Sequence, residues 1–431
     1  LAQPNTFTVT TGHQLNLFTG PLYFLYKIFS VINLAEQLQK RYPKAQFVPV
    51  YWMATEDHDF DEINYFNFQG RKFGWDRSSG GAVGELTTEG LEDVLQVFTK
   101  AMGPGDRATH LAKLFERAYV RHQNLADATR YLGNELFKAY GLVIVDGNDP
   151  GLKTSFVPFA KKEITEHLSH SHVTKTTEAL EQVGYKKQVH PREINLFYLK
   201  AGLRERIVEK DEQFHVNDTQ ISFSREDLLQ EMEIHPERFS PNALLRPLYQ
   251  EVILPNLCYT GGGGELAYWF QLKDYFEAVE VPFPVLLLRN SVLLVDKKYG
   301  EKLEKLEMPL PKLFLKQLQL TNEYTHQLSD IDIDFSAQRK HLQQQFEALH
   351  DLATRTDRSF EGAVAAQEKK QLNGLDHLEK RLLKAQKRKL ADRIQRLLMI
   401  QDALFPGQSL QERQSNFSEF YLEYGDRLFS A

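Results

Sequence analysis

Cysteine is almost absent from this chain: Cys258 is the single thiol in 431 residues. That excludes an internal disulfide framework and any zinc site built from several thiolates, and it fits a reducing cytoplasm. Also missing is an uninterrupted run of roughly 18 to 20 apolar residues, the length that spans a bilayer. The longest apolar stretches, such as VPFPVLLL at 281–288, are strand-sized, so a soluble cytoplasmic protein with no membrane partner is expected. Charge of one sign is not in excess either, since a net charge of −6 argues against wholesale binding to nucleic acid. Methionine does not open the chain. Leu1 stands a few residues before a strand-like run, so native residues, and with them any signal peptide, are expected to precede it.

What is present suits two or three globular domains, because 42% apolar content over this length can bury more than one core. The opening reads strand, turn, helix, strand. FTVTT (7–11) is short and β-branched, GPLYFLYKIFSVINLAEQLQKRY (20–42) has helical recurrence, and AQFVPVYWMATEDHD (45–59) is a buried strand with a polar end. One βαβ unit implies a parallel sheet with a right-handed crossover and sites at the carboxyl ends of its strands, hence an α/β fold class.

DRSSGGAVGELTTEG (76–90) is a loop, residues 91–140 look helical, and GLVIVDGNDPGLK (141–153) returns as a buried strand. Short alternating strands follow over 180–232. FSPNALLRPLYQEVILPNLCYTGGGGELAYWFQLKDYF (239–276) then gives a Pro-bounded helix, a strand, a glycine loop and another helix. VPFPVLLLRNSVLLVDKK (281–298) adds one more strand. Beyond about 310 the composition turns to Gln, Lys, Glu, Leu and Ala, with two glycines and no proline between Ser336 and Leu404. Leu342, Phe346, Leu349 and Ala353, then Leu372, Leu375, Leu382, Leu390, Ile394 and Leu397, recur at helical and partly heptad spacing. This predicts an antiparallel helical hairpin bending near TRTDRSFEG (354–362). The boundaries that follow are 1–180 for the first part of the sheet core, with a helical insertion near 91–140; 181–240 for a small β-rich insertion; 241–310 for the second part of the core; 311–405 for the hairpin; and 406–431 for a return to the core.

Three stretches carry chemistry. In TTGHQLNLFTGP (10–21), Gly12 and Gly20 allow tight turning and Pro21 suits the first turn of a helix, whose free N–H groups form an anion site. His13, Gln14 and Thr19 add side-chain donors; in the competing reading they satisfy buried backbone around a turn. The spacing matches neither G-x-G-x-x-G nor a P-loop. In YWMATEDHDFDEI (51–63), Glu56, Asp57, His58 and Asp59 follow a buried strand, a placement that couples their titration and suits a general base. Asp61 and Glu62 read equally well as acids complementing a helix dipole. In YTGGGGELAYWF (259–270), Gly261, Gly262, Gly263 and Gly264 each destabilise a folded element by roughly 0.5–1 kcal/mol relative to alanine, so a ligand approaching the backbone is expected. Glu265, Tyr268 and Trp269 follow on the next helix.

Weaker signals lie in HPREINLFY (190–198, with Asn195), LRPLYQE (245–251, with Arg246) and LLLRNS (286–291, with Arg289, Asn290 and Ser291). An arginine beside a buried segment holds a phosphate or carboxylate, or forms a structural ion pair. Cys258 reads as a core thiol, and the basic run EKRLLKAQKRK (379–389) as a solvated helix face.

Taken together, TGHQLNLFTGPLY, ATEDHDFDEIN, QVHPREINLFYL, LRPLYQEVILPNLCYTGGGGELAYW and FPVLLLRNS, in this order and before a long helical hairpin, resemble the BshC family, the cysteine-adding ligases of bacillithiol biosynthesis. The resemblance runs from about residue 5 to the C-terminus. It implies a Rossmann-like core related to class I aminoacyl-tRNA synthetases with connective-peptide insertions, and a coiled coil that pairs two subunits. It further implies amide formation between the carboxyl of cysteine and the amine of glucosaminyl-malate. GHQ with TGP stands where the synthetases keep their nucleotide signature. Arg289 and Ser291 stand where lysines are expected in a later loop, which is a departure from that pattern.

An amide does not form efficiently from a free carboxylate in water, so the acid must be activated, by ATP or by arriving already activated, and the incoming ammonium must lose a proton. His58, or a carboxylate among Glu56, Asp57 and Asp59, is the expected acceptor. His13, Gln14 and the helix start at Pro21 would hold the activating group or an anionic end of substrate, with the glycine loop closing over sugar or nucleotide. No structural metal is expected from one cysteine and scattered histidines. A reading of another class is a non-catalytic coiled-coil protein that binds nucleotide or RNA on a degenerate synthetase fold.

Overall fold

The structure is a computed structural model that describes residues 3–429. Leu1 and the residues expected before it lie outside the described residues. Two compact units are present: one runs to Val292 and resumes at Glu412, and the other is Leu293–Gln411. The sequence reading set these breaks near 310 and 405. They shift because the last strand ends at Leu288 and the helix after it, Lys297–Lys305, packs Leu303 against Leu320, Tyr324 and Leu397 of the second unit.

The first unit is built on five parallel strands: β1 (Thr6–His13), β2 (Gln46–Met53), β3 (Val143–Asp146), β4 (Asn256–Gly261) and β5 (Val285–Leu288). Their order across the sheet is β5-β4-β1-β2-β3. The chain winds outward from β1 to β3, then crosses back to lay β4 on the other flank of β1. Strand order therefore reverses between β1 and β4, and the crevice beyond the carboxyl ends at such a switch point is where open α/β sheets receive ligands.

The helix Tyr23–Arg41 crosses between β1 and β2. It buries Phe24, Leu25, Ile28, Val31, Ile32 and Ala35 at spacings of three and four, and Lys40 and Arg41 complement the dipole in its last turn. Val31 and Ala35 pack on Val9 of β1 and Cys258 of β4. Between β1 and this helix, Phe18, Thr19 and Gly20 all adopt positive φ, 48°, 68° and 60°. Such backbone is strained for phenylalanine and threonine and needs outside support. The support comes from the Phe18 ring, seated 5.1–5.5 Å from those of Phe66, Phe98, Phe115 and Phe417, and from Asn416 Nδ2, which donates to the carbonyls of Phe18 and Gly20 at 2.7 and 2.6 Å.

Phe98 and Phe115 belong to the helical insertion, whose helices are Leu91–Met102, Asp106–Phe115 and Leu125–Phe137. A two-stranded hairpin, Tyr65–Phe68 with Arg71–Gly74, was not anticipated from sequence. The β-rich insertion is an antiparallel sheet ordered Phe239–Pro241, Leu196–Lys200, Leu203–Lys210, Gln213–Val216 and Ser222–Phe223. The helix Arg225–Ile234 lies inside its sequence span.

The second unit carries the hairpin. Ser336–Ala353 and Arg358–Lys389 run antiparallel, with Arg339 paired to Asp376 at 2.9 Å and His350 to Glu368 at 2.9 Å. Asp357 caps the second helix, accepting from the Ser359 N–H at 2.8 Å. Ala391–Leu404 follows after a break at Leu390. Among the described residues no helix is long and apolar enough to cross a membrane.

Candidate functional site

A cleft of about 450 Å³ opens beyond the carboxyl ends of β1, β2 and β4 in the first unit. Its floor is the end of β1. A Cβ at Gly12 would lie 3.1 Å from the Tyr259 hydroxyl and 3.6 Å from Arg246 Nη1, so glycine lets both close on the strand. Lys27, on the helix after β1, is 1% exposed; it donates to the Gly12 carbonyl and meets Glu265 Oε1 at 2.6 Å. Burial lowers the Lys27 ammonium below the ordinary lysine value, against the pull of Glu265. The Tyr259 hydroxyl donates to Glu265 Oε2 at 3.0 Å.

Arg246 enters from the helix Leu245–Ile253, with its guanidinium carbon 5.9, 5.6 and 6.0 Å from the rings of Trp52, Tyr259 and Trp269. Its Nη2 is buried and makes no hydrogen bond of good geometry, with the Tyr268 hydroxyl the nearby group that acts on the guanidinium, and Nε2 of His13 is likewise buried without a partner among the described residues. A buried donor such as the Arg246 N–H, or a buried acceptor such as an imidazole nitrogen, costs free energy when left unpaired, and a cleft is where a ligand can repay it. Burial first, then Lys27 and Arg289, lower the His13 imidazole well below its ordinary value, so the ring is neutral at pH 7.

The end of β2 supplies the acidic wall. Glu56 pairs with Lys153 at 2.7 Å, and that ammonium also donates to Asn148 Oδ1 at 2.9 Å and the Glu237 carbonyl at 3.0 Å. Gln14 Nε2 bridges Asp57 Oδ2 at 3.0 Å and Glu62 Oε2 at 2.8 Å. Burial pushes the Asp57 carboxyl up, but the His58 backbone N–H, which donates to Oδ1 at 2.7 Å, the Gln14 amide and the charge of Arg204 outweigh it and hold the group well below the usual carboxylate range. Arg204, from the β-rich insertion, reaches across with Nη1 2.8 Å from His58 Nδ1 and its plane over the Phe197 ring at 3.9 Å. A guanidinium only donates, so Nδ1 of His58 accepts and the ring carries its proton on Nε2.

The cleft thus brings together His13, Gln14, Glu56, Asp57, Arg246, Glu265 and Tyr268, with His58 at the exposed rim. Other expected residues stand elsewhere. Asp59 is exposed ahead of a single helical turn. Thr19, Gly20 and Pro21 do not form an open anion site, because the helix starts at Tyr23 and the Leu22 N–H before it is taken by the Ser415 carbonyl at 2.9 Å. Asn195 is 1% exposed and bound to Glu163 and Ser169; its Oδ1 accepts from Asn242, which does line the cleft, at 2.7 Å.

The glycine stretch is no loop. Gly261 ends β4, Gly262 precedes a helix and Gly263 and Gly264 form its first turn, none with positive φ. At Gly261 a Cβ would sit 2.9 Å from Glu265 Oε2, so its role is to admit that carboxylate. Trp269 is core, stacked 4.4 Å from the Tyr259 ring. Arg289 is bound by both oxygens of Glu412 at 3.0 and 2.8 Å, Ser291 joins the same carboxylate at 3.2 Å, and the Asn290 N–H donates to Ser30 at 3.1 Å.

Sequence reasoning missed Lys27, Arg204, Tyr259 and Asn242. Lys27 had a signal, as a lone charge inside YFLYKIFSVI (23–32). Arg204 had none, since only tertiary folding carries it to His58. Among the described residues no group of three or more His, Cys, Asp or Glu side chains is arranged to hold a metal ion.

Comparison with known proteins agrees with the resemblance seen in the motifs. Residues 1–290 match the family described as "Bacillithiol biosynthesis BshC, N-terminal Rossmann-like domain", and residues 292–431 match its "C-terminal coiled-coil domain". Proteins named "Putative cysteine ligase BshC" are similar along the whole chain. That of Christiangramia forsetii is 58% identical over 100% of this chain and 81% of its own length, and that of Flavobacterium johnsoniae 57% over 99% and 80%. The protein of that name from Bacillus cereus is 29% identical over 99% of this chain and 83% of its own. A solved structure from Campylobacter jejuni titled as a "putative arginyl t-RNA synthetase" covers 96% of this chain and 94% of its own at 9% identity, but its TM-score of 0.27 is too low to say more. With both domains matched, in order, and the site at the switch point of its sheet, the chain belongs to the BshC family of bacillithiol biosynthesis.

Proposed function

We propose that this protein is a cytoplasmic ligase that joins the carboxyl of cysteine to the amine of glucosaminyl-malate in the switch-point cleft. The observation that carries the reading is that Lys27, Arg204, Arg246 and a neutral His13 all line that one cleft. Both substrates carry carboxylates, and Arg204 and Arg246, on rigid elements, can hold them, with Lys27 adding positive charge already shared with Glu265. Arg246 offers a buried, unpaired N–H for one such contact, and the donor fork of arginine suits it to a carboxylate or a phosphate. The names of the relatives support ligation of cysteine.

ATP fits the same donor set, with Lys27 and Arg246 as the residues that would hold its phosphates, and when bound it would supply the activation that a free carboxyl lacks. The amine must give up a proton as it attacks. His58 is poorly placed to take it, since Arg204 occupies the lone pair on Nδ1. Asp57 is too weak a base, and Glu56 is neutralised by Lys153. His13 is the acceptor we favour: its Nε2 has no partner among the described residues, and although burial is what depresses its basicity most, an anion bound beside Lys27 would offset the further part that the Lys27 charge adds. A second copy of the chain against the helical hairpin is the proposed macromolecular partner.

The test is mass-spectrometric detection of the amide product after mixing full-length protein with cysteine and glucosaminyl-malate, with and without ATP and magnesium. Product only with ATP supports the ligase and an activated-acyl route. Absence of product from folded protein under both conditions overturns the proposal in favour of a binding protein.

A further inference from the structure

Arg246 does not stand alone. Its Nη1 donates to Gln250 Oε1 at 3.1 Å, one helical turn on. Gln250, fully buried, passes the link to Glu251, with Nε2 2.7 Å from Oε1. Asn256 Nδ2, at the start of β4, donates to that same oxygen at 2.8 Å, while Asn256 Oδ1 accepts from Thr8 and Thr10 of β1 at 3.0 and 2.8 Å. The arginine fixes the orientation of the Gln250 amide. Gln250 must turn its oxygen to the arginine, which only donates, and so turns its NH2 to the carboxyl. Asn256 faces its oxygen to the threonine hydroxyls, which donate to it, and its NH2 to the carboxyl. Both amides therefore deliver N–H to Glu251, and the far end of the relay is the guanidinium whose Nη2 is unpaired at the cleft.

We propose that Gln250 and Glu251 are positioning residues for the anion contact of Arg246: Glu251 sets the orientation of the Gln250 amide, and Gln250 sets the plane of the guanidinium. The proposal rests on Arg246 being a substrate contact, as argued above. LRPLYQE (245–251) is then one device, with the contact and its support on a single helix.

The relay is also sensitive to pH. Burial pushes the Glu251 carboxyl up to about 8, with Asn256, Gln250 and Arg246 offsetting only part of the effect. Among the described residues, the charged or titratable groups acting on it are Arg246 on its own helix and Cys258 on β4, and burial raises that thiol to about 11, so it stays neutral across the relevant range. Below about pH 8 the neutral carboxyl leaves the guanidinium charge fully available to the cleft. Above it, a carboxylate forms one amide away and offsets that charge, and an anionic ligand binds roughly tenfold more weakly.

The experiment is calorimetric titration of glucosaminyl-malate into full-length protein from about pH 6.5 to about 9.5, using wild type, Glu251→Gln, Gln250→Leu and Arg246→Ala. Wild type is expected to lose affinity above pH 8. Glu251→Gln, which keeps an acceptor oxygen but cannot ionise, should show a flat profile. Gln250→Leu cuts the link and should weaken glucosaminyl-malate in the titration and, in the product assay, raise KM with kcat retained; if it does not fold, Glu251→Gln decides alone. A Glu251→Gln profile that tracks a titrating wild type, or a flat wild-type profile, overturns the relay while leaving Arg246 as a contact. Wild-type affinity in Arg246→Ala overturns the contact itself.

Discussion

The Lys27 ammonium and the Glu265 carboxylate meet at 2.6 Å although 238 residues separate them in the chain. Lys27 comes from the helix after β1 and Glu265 from the helix after β4, so the pair spans the strands between which sheet order reverses. With 2% of the Lys27 side chain exposed, neither partner can be removed cheaply. Lys27→Met keeps volume and removes the charge; it is expected to lower kcat/KM by at least about tenfold. Glu265→Ala leaves an uncompensated buried ammonium and should cost about 3 kcal/mol of stability. Denaturant unfolding and product formation read the two effects separately.

The central sheet was legible because β1 is β-branched and β2 is a largely apolar run, and each of β1, β2 and β4 is followed at once by the polar or glycine cluster that marks its carboxyl end. What could not be read was which polar residues turn inward. TGP looked like a helix start open to anions, yet Asn416 and Ser415, some 400 residues later, fill that position. The four glycines looked like a loop because composition shows flexibility and not the neighbour that requires it; at Gly261 the neighbour is the Glu265 carboxylate. Arg204 depends wholly on the insertion folding back over His58.

His58 tests how far tautomer decides role. A residue serving as general base contributes about 10²–10⁴-fold to rate. With Nδ1 taken by Arg204, His58→Ala should slow turnover by less than about tenfold, and Arg204→Ala should weaken substrate binding. A loss in His58→Ala above about 10²-fold would return that residue to the chemistry.

Asp57 makes stability depend on acid. Its folded carboxyl titrates below the ordinary 3.8, so it adds stability above that pH and loses it as pH falls toward the folded value. The stability difference between wild type and Asp57→Asn, measured by urea unfolding, should be full at about pH 5 and shrink steadily below about 3.8.

Arg289 and Glu412 distinguish a binding role from a structural one. Their side chains are 6% and 3% exposed and joined by two hydrogen bonds. Breaking a buried pair from one side costs about 3–5 kcal/mol. Glu412→Ala should therefore lower the unfolding midpoint far more than it changes substrate binding by the molecules that remain folded. Arg289→Lys should destabilise too, since an ammonium cannot reproduce the fork.

The hairpin carries the proposed self-association. Its helices bury Phe346, Ala353 and Val364 between them, yet Leu349, Leu352, Phe360 and Leu378 remain 41%, 50%, 40% and 53% exposed. Covering the exposed half of each such side chain contributes about 1 kcal/mol, so these four and their equivalents on a second copy together favour pairing. Placing charge on that face should abolish association without touching the cleft. Light scattering at micromolar concentration is expected to give twice the chain mass for wild type and the single-chain mass for Leu352→Glu combined with Leu378→Glu. A wild-type monomer would refute the pairing. Dimers that persist in the double variant would move the interface away from these leucines.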